Sequence, residues 1–223
     1  MDEIRLIDVR KSILSDNENQ AGVIRQNLAT KKVFMVNVMA SPGAGKTSMI
    51  IQTIRSLKSQ LRMAVIEGDI ESLVDSEKII AQGIPAVQIR TGGACHLDAP
   101  MVTAALDTLD LDHFDLVFIE NIGNLICPAE FDTGADLQVM LLSIPEGDDK
   151  ILKYPLMFSI CDALLVNKID YLEGSDFNLN LLHRRAHELN PNIQLFDVSC
   201  KTGIGIEQWS QWLLENVKAK LNK

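Results

Sequence analysis

The run Ala40-Ser41-Pro42-Gly43-Ala44-Gly45-Lys46-Thr47 constrains this chain more than any other feature, because of what lies on either side of it. An apolar, strand-like segment, Val33 to Met39, precedes it, and a helical pattern, Ser48 to Leu61, follows. Strand, glycine-rich loop and helix N-terminus together form a phosphate-binding P-loop, whose backbone N–H groups and helix dipole favour an anion. In that arrangement Gly43, Ala44, Gly45, Lys46, Thr47 and Ser48 would surround the phosphates. Lys46 would reach the β/γ oxygens, and the Thr47 hydroxyl would face Mg²⁺. Ala40 stands where the first glycine is usual, which an extended residue tolerates. The alternative is a glycine-rich turn without a ligand.

Short apolar runs alternate with helical stretches along the rest of the chain: Met63–Ile66, Ala86–Ile89, Leu116–Ile119, Val139–Ile144, Ala163–Val166 and Ile193–Val198. The expected fold is α/β, a mainly parallel sheet with helices on both faces. Residues 1–30 predict one or two amphipathic helices, with apolar positions at Ile4, Ile7, Val9, Ile13 and Leu14, leading into a P-loop domain over 31–223. At 223 residues the chain is long enough for a sizeable core. Trp209, Trp212, Leu213 and Val217 fall at helical spacing and read as core.

A net charge of −9 argues against nucleic acid as the main partner. No apolar run approaches the roughly 20 residues that span a bilayer. Met1-Asp2-Glu3 lacks a signal peptide's features, so a cytoplasmic location is expected, with Cys95, Cys127, Cys161 and Cys200 as thiols or metal ligands.

Asn167-Lys168-Ile169-Asp170 follows the Ala163–Val166 run. An aspartate there accepts both N1–H and N2–H of guanine, which adenine cannot offer. Asn167 would brace the loop or the base, and the Lys168 stem would lie across the ring. Ser199-Cys200-Lys201, after the final strand, would bring backbone N–H groups to the guanine O6. The three elements together point to GTP over ATP. Asp69 and Glu120, each ending a predicted strand, would complete the Mg²⁺ site beside Thr47, since one or two carboxylates suffice. For Asp69 the alternative is a helix cap. Gly123 would give its N–H to the γ-phosphate. Asp75 reads as a water-orienting residue, an outer Mg²⁺ partner or a surface residue.

Thr91-Gly92-Gly93-Ala94-Cys95-His96-Leu97-Asp98-Ala99 follows the third predicted strand, and Glu120-Asn121-Ile122-Gly123-Asn124-Leu125-Ile126-Cys127-Pro128-Ala129 follows the fourth. Thiolate and imidazole suit Zn²⁺ and Ni²⁺ better than Mg²⁺. Three ligands, Cys95, His96 and Cys127, fall short of a closed tetrahedral site, so a second protomer or water would complete it. The alternative is a buried thiol beside a capping histidine.

With Glu146-Gly147-Asp148-Asp149-Lys150 and Lys153-Tyr154-Pro155, these stretches closely resemble the hydrogenase nickel-incorporation GTPases, the HypB family of dimeric, SIMIBI-type P-loop GTPases. The resemblance runs from about Val33 to Trp212. It implies a Mg²⁺-dependent GTPase that forms a homodimer with GTP and helps deliver nickel to [NiFe]-hydrogenase. Cys95, His96 and Cys127 would then bind Ni²⁺ or Zn²⁺ at or near the dimer interface. A nickel metallochaperone and the hydrogenase large-subunit precursor become the expected partners. Lys150 or Lys153 would approach the nucleotide or the dimer contact, or else be a surface lysine.

Residues 1–30 hold neither cysteine nor histidine, so the extra N-terminal nickel motifs of some relatives are not expected here. No glutamine follows Glu120–Gly123 to orient water, which predicts slow hydrolysis. Cys161 and Cys200 read as packing residues. His183 and His187, four apart on a predicted helix, read as a solvated face or a metal pair. Three rivals remain: a nickel chaperone for another enzyme such as urease, against which the Cys95-His96 and Cys127-Pro128 pair argues; a small-molecule P-loop kinase, against which the absence of a lid-like arginine cluster and the Asn167–Asp170 motif argue; and a metal-binding interaction module with a decayed GTPase site.

Overall fold

The computed structural model describes residues 9–69 and 74–221. The expectations placed on Ile4 and Ile7, and the helix that Asp69 would cap, fall outside those residues. Seven strands form one sheet: β1 (Phe34–Ala40), β2 (Met63–Asp69), β3 (Ala86–Arg90), β4 (Leu116–Glu120), β5 (Leu137–Ser143), β6 (Ala163–Asn167) and β7 (Gln194–Asp197). Their order is β3-β2-β4-β1-β5-β6-β7, and every neighbouring pair is parallel. Each apolar run of the sequence thus becomes a strand, and the sheet is parallel throughout rather than mainly so. Parallel strands need crossovers, and the chain between them supplies helices that cover both faces.

Helix α1 (Val9–Lys31) precedes the sheet; the crossovers carry α2 (Lys46–Leu57), α3 (Val74–Ile80), α4 (Ala99–Leu106), α5 (Cys127–Glu130), α6 (Lys150–Lys153), α7 (Pro155–Ile160) and α8 (Leu179–Leu189); and α9 (Ile206–Leu221) follows the last strand. Among the described residues α1 is one helix, within the one or two expected over residues 1–30. Helix α2 begins two residues earlier than the apolar pattern suggested, because the P-loop's Lys46 and Thr47 already belong to its first turn. Its end is earlier too: Lys58–Leu61 leave it in tight turns, with the Leu61 N–H still donating to Leu57 O at 3.0 Å.

Alternation along β1 sends side chains to two different cores. Phe34, Val36, Val38 and Ala40 pack with α2 and α9, where Trp209 is fully buried and donates from Nε1 to Thr53 Oγ1 at 2.9 Å. Met35 on the other side packs with α1 and α4, and Met39 with the core under α6, α7 and α8. Asn37 lies between these last two, a buried amide in an otherwise apolar strand. Cys161 is buried and Cys200 packs half-buried against the first core, as packing residues should. Among the described residues no helix is long and apolar enough to cross a membrane.

β1 is central, with β4 on one side and β5 on the other. The chain leaves β1 toward β2 and β3, and later passes to the opposite side through β5, β6 and β7. Ligands of such sheets sit beyond the strands' carboxyl ends near this reversal. The carboxyl ends of β1, β2, β3, β4, β6 and β7, with the segments that follow them, hold the residues expected at the nucleotide and the metal, whereas Lys150 and Lys153 follow β5 and His183 and His187 lie on α8.

Candidate functional site

The loop after β1 turns through Gly43 at φ +75° and Gly45 at φ +104°, both in the left-handed region that favours glycine. At Gly45 space also decides the residue: a Cβ there would lie 2.6 Å from Asn167 Nδ2. That side chain braces the P-loop, since Asn167 Nδ2 donates to Ala44 O at 2.9 Å while its Oδ1 accepts from Lys168 N at 2.8 Å and Cys200 N at 3.3 Å. Lys168, itself left-handed at φ 63°, donates from Nζ to Gly43 O at 2.8 Å. Of the two roles expected for Asn167, the geometry carries the bracing one.

Asp170 stands beside this brace, accepting from Ser199 Oγ at 2.6 Å with Lys201 Nζ 3.8 Å away. Gly45, Ser48, Asn167, Lys168, Asp170, Cys200 and Lys201 line one cavity of about 350 Å³, together with Gln52, Arg55 and Tyr171. Burial, the dominant cause, pushes the Cys200 thiol up to about 11, so it stays protonated in this wall. P-loop, Asn-Lys-x-Asp and Ser-x-Lys elements, far apart in sequence, thus share one cavity.

A second cavity, about 280 Å³, adjoins Lys46 and is walled by Pro42, Gly43, Asp69, Asp75, Glu120, Asn121 and Gly123. Thr47 Oγ1 donates to Glu120 Oε1 at 2.8 Å. Glu120 Oε2 is buried and has no hydrogen-bond partner among the described residues. Burial drives its carboxyl up to about 7, although Lys46 and Thr47 pull the other way. Asp69 lines the same wall, but the oxygens that crowd closest belong to Glu67, Asp75 and Glu120, all within 4.8 Å of one another. Glu67, absent from the sequence expectations, sits opposite Glu120 in the β2–β4 register. It is raised chiefly by burial, while Ser76 donates to its Oε2 at 2.8 Å. An orphaned carboxylate oxygen among oxygen donors, beside a threonine hydroxyl, fits Mg²⁺. Gly123 abuts the P-loop: a Cβ on it would fall 2.9 Å from Pro42 Cγ and 3.0 Å from Pro42 N.

Cys95 and Cys127 come together from the loops after β3 and β4, with their sulfurs 2.8 Å apart. His96 Nδ1 is 3.7 Å from Cys95 Sγ, and one ligand atom from each of the three residues lies within 4.8 Å of the others. The imidazole stacks on Phe131 at 3.8 Å between centroids, and burial holds it below its ordinary range, hence neutral at pH 7. Asn124 ties the loops, donating from Nδ2 to Cys95 O at 3.1 Å. Cys95 is exposed, so the cluster opens outward. The donor set of two soft sulfurs and an imidazole fits Ni²⁺ or Zn²⁺.

His183 and His187 do not form such a cluster. His183 Nε2 instead bonds Asp197 Oδ1 at 2.9 Å, and His187 is exposed. Lys153 pairs with Asp149 one turn away, and Lys150 lies over the Tyr154 ring at 5.4 Å.

The family model described as the CobW/HypB/UreG nucleotide-binding domain matches residues 34–197. The hydrogenase maturation factor HypB of Rhizobium leguminosarum bv. viciae is 44% identical over 213 residues, covering 96% of this chain and 71% of the relative. The crystal structure of HypB from Helicobacter pylori in complex with nickel superposes with a TM-score of 0.87 at 35% identity, covering 92% of this chain and 97% of that one. The signal recognition particle receptor FtsY from Elizabethkingia anophelis, in complex with GDP, shares the fold with a TM-score of 0.54 at 17% identity, over 81% of this chain and 64% of the other.

Proposed function

Because the chain belongs to the CobW/HypB/UreG nucleotide-binding family and, within it, to the HypB hydrogenase maturation factors, we propose that it is a GTP-hydrolysing nickel carrier. Its cargo, Ni²⁺ or Zn²⁺, is held by Cys95, His96 and Cys127, and its client is the large-subunit precursor of [NiFe]-hydrogenase. Residues 31–223 form the GTPase domain, preceded by the N-terminal segment whose described part is α1.

In this reading the guanine occupies the cavity beside Asp170, whose carboxylate accepts from N1–H and N2–H. Lys201 and Ser199 hold that carboxylate in place. Desolvating an aspartate that adenine leaves unpaired makes the choice of base steep. Lys46 and the P-loop amides bind the phosphates; Thr47, Glu120 and Asp69 hold Mg²⁺. When bound, that ion neutralises charge developing on the phosphate oxygens. Glu120 must shed its proton to serve as a ligand, and Lys46 favours the anion. Gly123, already against Pro42, donates its N–H to the γ-phosphate. Asp75, in the same cavity, orients the attacking water.

One observation carries the switch: Gly123 lies in the short loop after β4, and that loop leads directly into Cys127, the first residue of α5. Loss of the γ-phosphate contact at Gly123 therefore moves a metal ligand. The exposed side chains of Ile126, Leu152 and Leu156 support an apolar contact with a second protomer in the GTP form. A separate nickel metallochaperone supplies the ion, since the described part of α1 offers no thiol or imidazole.

The test is an anaerobic Ni²⁺ titration followed by thiolate-to-metal absorbance, in GDP and in non-hydrolysable GTP forms, alongside GTP turnover of the parent and Lys46→Ala. Nickel binding that requires both cysteines, differs between nucleotide forms and accompanies Lys46-dependent turnover is the expected result. Equal turnover in Lys46→Ala would sink the GTPase reading.

A further inference from the structure

Two loops that carry different ligands meet on one side chain. Asn121 follows Glu120 at the end of β4 and is fully buried. Its Oδ1 accepts from the Ile122 N–H at 2.9 Å, in its own loop, and from the Leu97 N–H at 3.1 Å, in the loop after β3. Its Nδ2 donates to Asn37 Oδ1 at 3.1 Å, and Asn37 Nδ2 donates to Gln138 Oε1 at 2.8 Å. This chain of amides runs across β1 and β5, so the Asn121 carboxamide is oriented from the rigid sheet behind it while holding two loops in front.

Each loop segment is committed to one ligand. Leu97 directly follows the Cys95-His96 pair, and its side chain rests on Gly68, where an added Cβ would lie 2.8 Å from Leu97 Cδ1. Ile122 directly precedes Gly123, which abuts Pro42 of the P-loop. Cys127 moves with Gly123 because the chain connects them. Cys95 and His96 have no such covalent route; the Asn124–Cys95 bond is one noncovalent tie, and Asn121 supplies the buried one that is also oriented by the sheet.

We propose that Asn121 is the positioning residue that couples the Cys95-His96 half of the metal cluster to the nucleotide-facing Gly123 loop. This rests on the reading that Gly123 senses the γ-phosphate and that the three residues hold metal. When the loop shifts, the shared Oδ1 acceptor carries the Leu97 amide with it, and the imidazole and thiol follow. A buried carboxamide gripping two N–H groups resists separation, because either donor left unpaired costs a desolvated hydrogen bond. By linkage, the same tie makes metal binding alter the preference for GTP over GDP by the factor through which nucleotide alters metal affinity.

The experiment measures Ni²⁺ affinity in the GDP and non-hydrolysable GTP forms of the whole chain, for the parent, Asn121→Ala and Asn121→Asp. Coupled sites commonly differ by about 5- to 150-fold between states. The parent should show such a ratio. Asn121→Ala should bring it within about twofold of one, while Asn121→Asp, which as the buried neutral acid keeps the acceptor for both N–H groups and an O–H donor toward Asn37 Oδ1, retains it. The reciprocal effect of Ni²⁺ on nucleotide preference should fall in step. A parent-like ratio in folded Asn121→Ala overturns the Asn121 inference alone, whereas a parent ratio near one overturns the switch reading and this inference together. Should the alanine variant fail to fold, amide hydrogen exchange of the parent decides. Leu97 and Ile122 protection changing together between nucleotide forms supports the coupling. Leu97 unchanged while Ile122 changes overturns it.

Discussion

Cys95 and Cys127, 32 residues apart in the chain, hold their sulfurs 2.8 Å from one another. Neither loop would bring them together alone. The Cys95 loop is anchored at Leu97 and at Asn124, and the Cys127 helix begins where Pro128 sets its first turn. Packed so closely, two thiols share a proton environment. The Cys95 sulfur, more than burial, holds the Cys127 thiol above its ordinary range.

That raised thiol makes nickel binding proton-coupled. Ligation needs thiolates, so affinity falls with falling pH and binding releases protons. His96, lowered by burial, is already neutral at pH 7 and adds no competing proton there. Between pH 8 and 6.5 the apparent affinity should drop by about tenfold per pH unit for each thiol displaced. Cys95→Ser or Cys127→Ser should flatten the slope and weaken binding. Titrations at several pH values with a pH-indicator count of released protons check this; a slope near zero refutes it.

Glu120 predicts a pH dependence of the opposite kind. Its folded value is about 7, above the ordinary 4.5, because burial disfavours the charge. A raised carboxyl stabilises the fold fully below the ordinary value, and that stability is lost as pH rises through about 7. The metal-free protein should therefore be less stable at pH 8 than at pH 5.5 through this group, by at most about 2 kcal/mol. Glu120→Gln should remove that part of the slope and raise stability at pH 8. It should also cut GTP turnover by about 10²-fold or more, as loss of a group aimed at the phosphate charge does. Urea denaturation at both pH values and a turnover assay test the pair of effects.

Much of this was legible because it depends on local chemistry. Alternating apolar runs and helical stretches need no tertiary knowledge, and the P-loop and Asn167–Asp170 motifs carry their ligands in their own spacing. The meeting of Cys95, His96 and Cys127 could be anticipated from loops after two strands, but not its closeness. Glu67 was passed over because a carboxylate inside an apolar strand has no signature of its own; only the register opposite Glu120 gives it a place in the acidic pocket. Helix-start positions at Lys46 were likewise hidden, since loop and first turn share residues. Asn37, Asn121 and Asn17 were invisible for a different reason: amides acquire meaning from what folding brings to them.

Asp170 should set the choice of base. Guanine presents two donors, N1–H and N2–H, to a carboxylate with two acceptors. Asp170→Asn replaces one acceptor with an N–H donor, which matches xanthine, whose 2-position carries an oxygen. Affinity for GTP should fall by at least about 10²-fold, and affinity for xanthosine triphosphate should rise to exceed it. Competition with a fluorescent nucleotide measures both. A variant that still prefers GTP would remove Asp170 from the base site.

Asn17, on α1, braces the Cys95, His96 and Cys127 group from behind. It is buried, with Oδ1 accepting from the Ala99 N–H at 2.8 Å and Nδ2 donating to Asp132 O at 2.9 Å. Ala99 opens α4 just after the Cys95-His96 loop, and Asp132 follows Phe131, on which His96 stacks. Arg25, from the same helix, adds a salt bridge to the Asp132 carboxylate, and Asp132 Oδ1 also accepts from Gly134 N at 2.8 Å. One helix thus fixes the outer ends of both ligand-bearing segments. Asn17→Ala leaves a buried amide and a carbonyl unpaired, a loss of about 1–3 kcal/mol. For a chain of this size that lowers Tm by roughly 2–10 °C. Because Asn17 touches neither the P-loop nor the Asp170 cavity, guanine nucleotide affinity should hold while Ni²⁺ affinity falls several-fold. Equal weakening of both ligands would mean that the helix supports the whole fold and has no separate hold on the metal cluster.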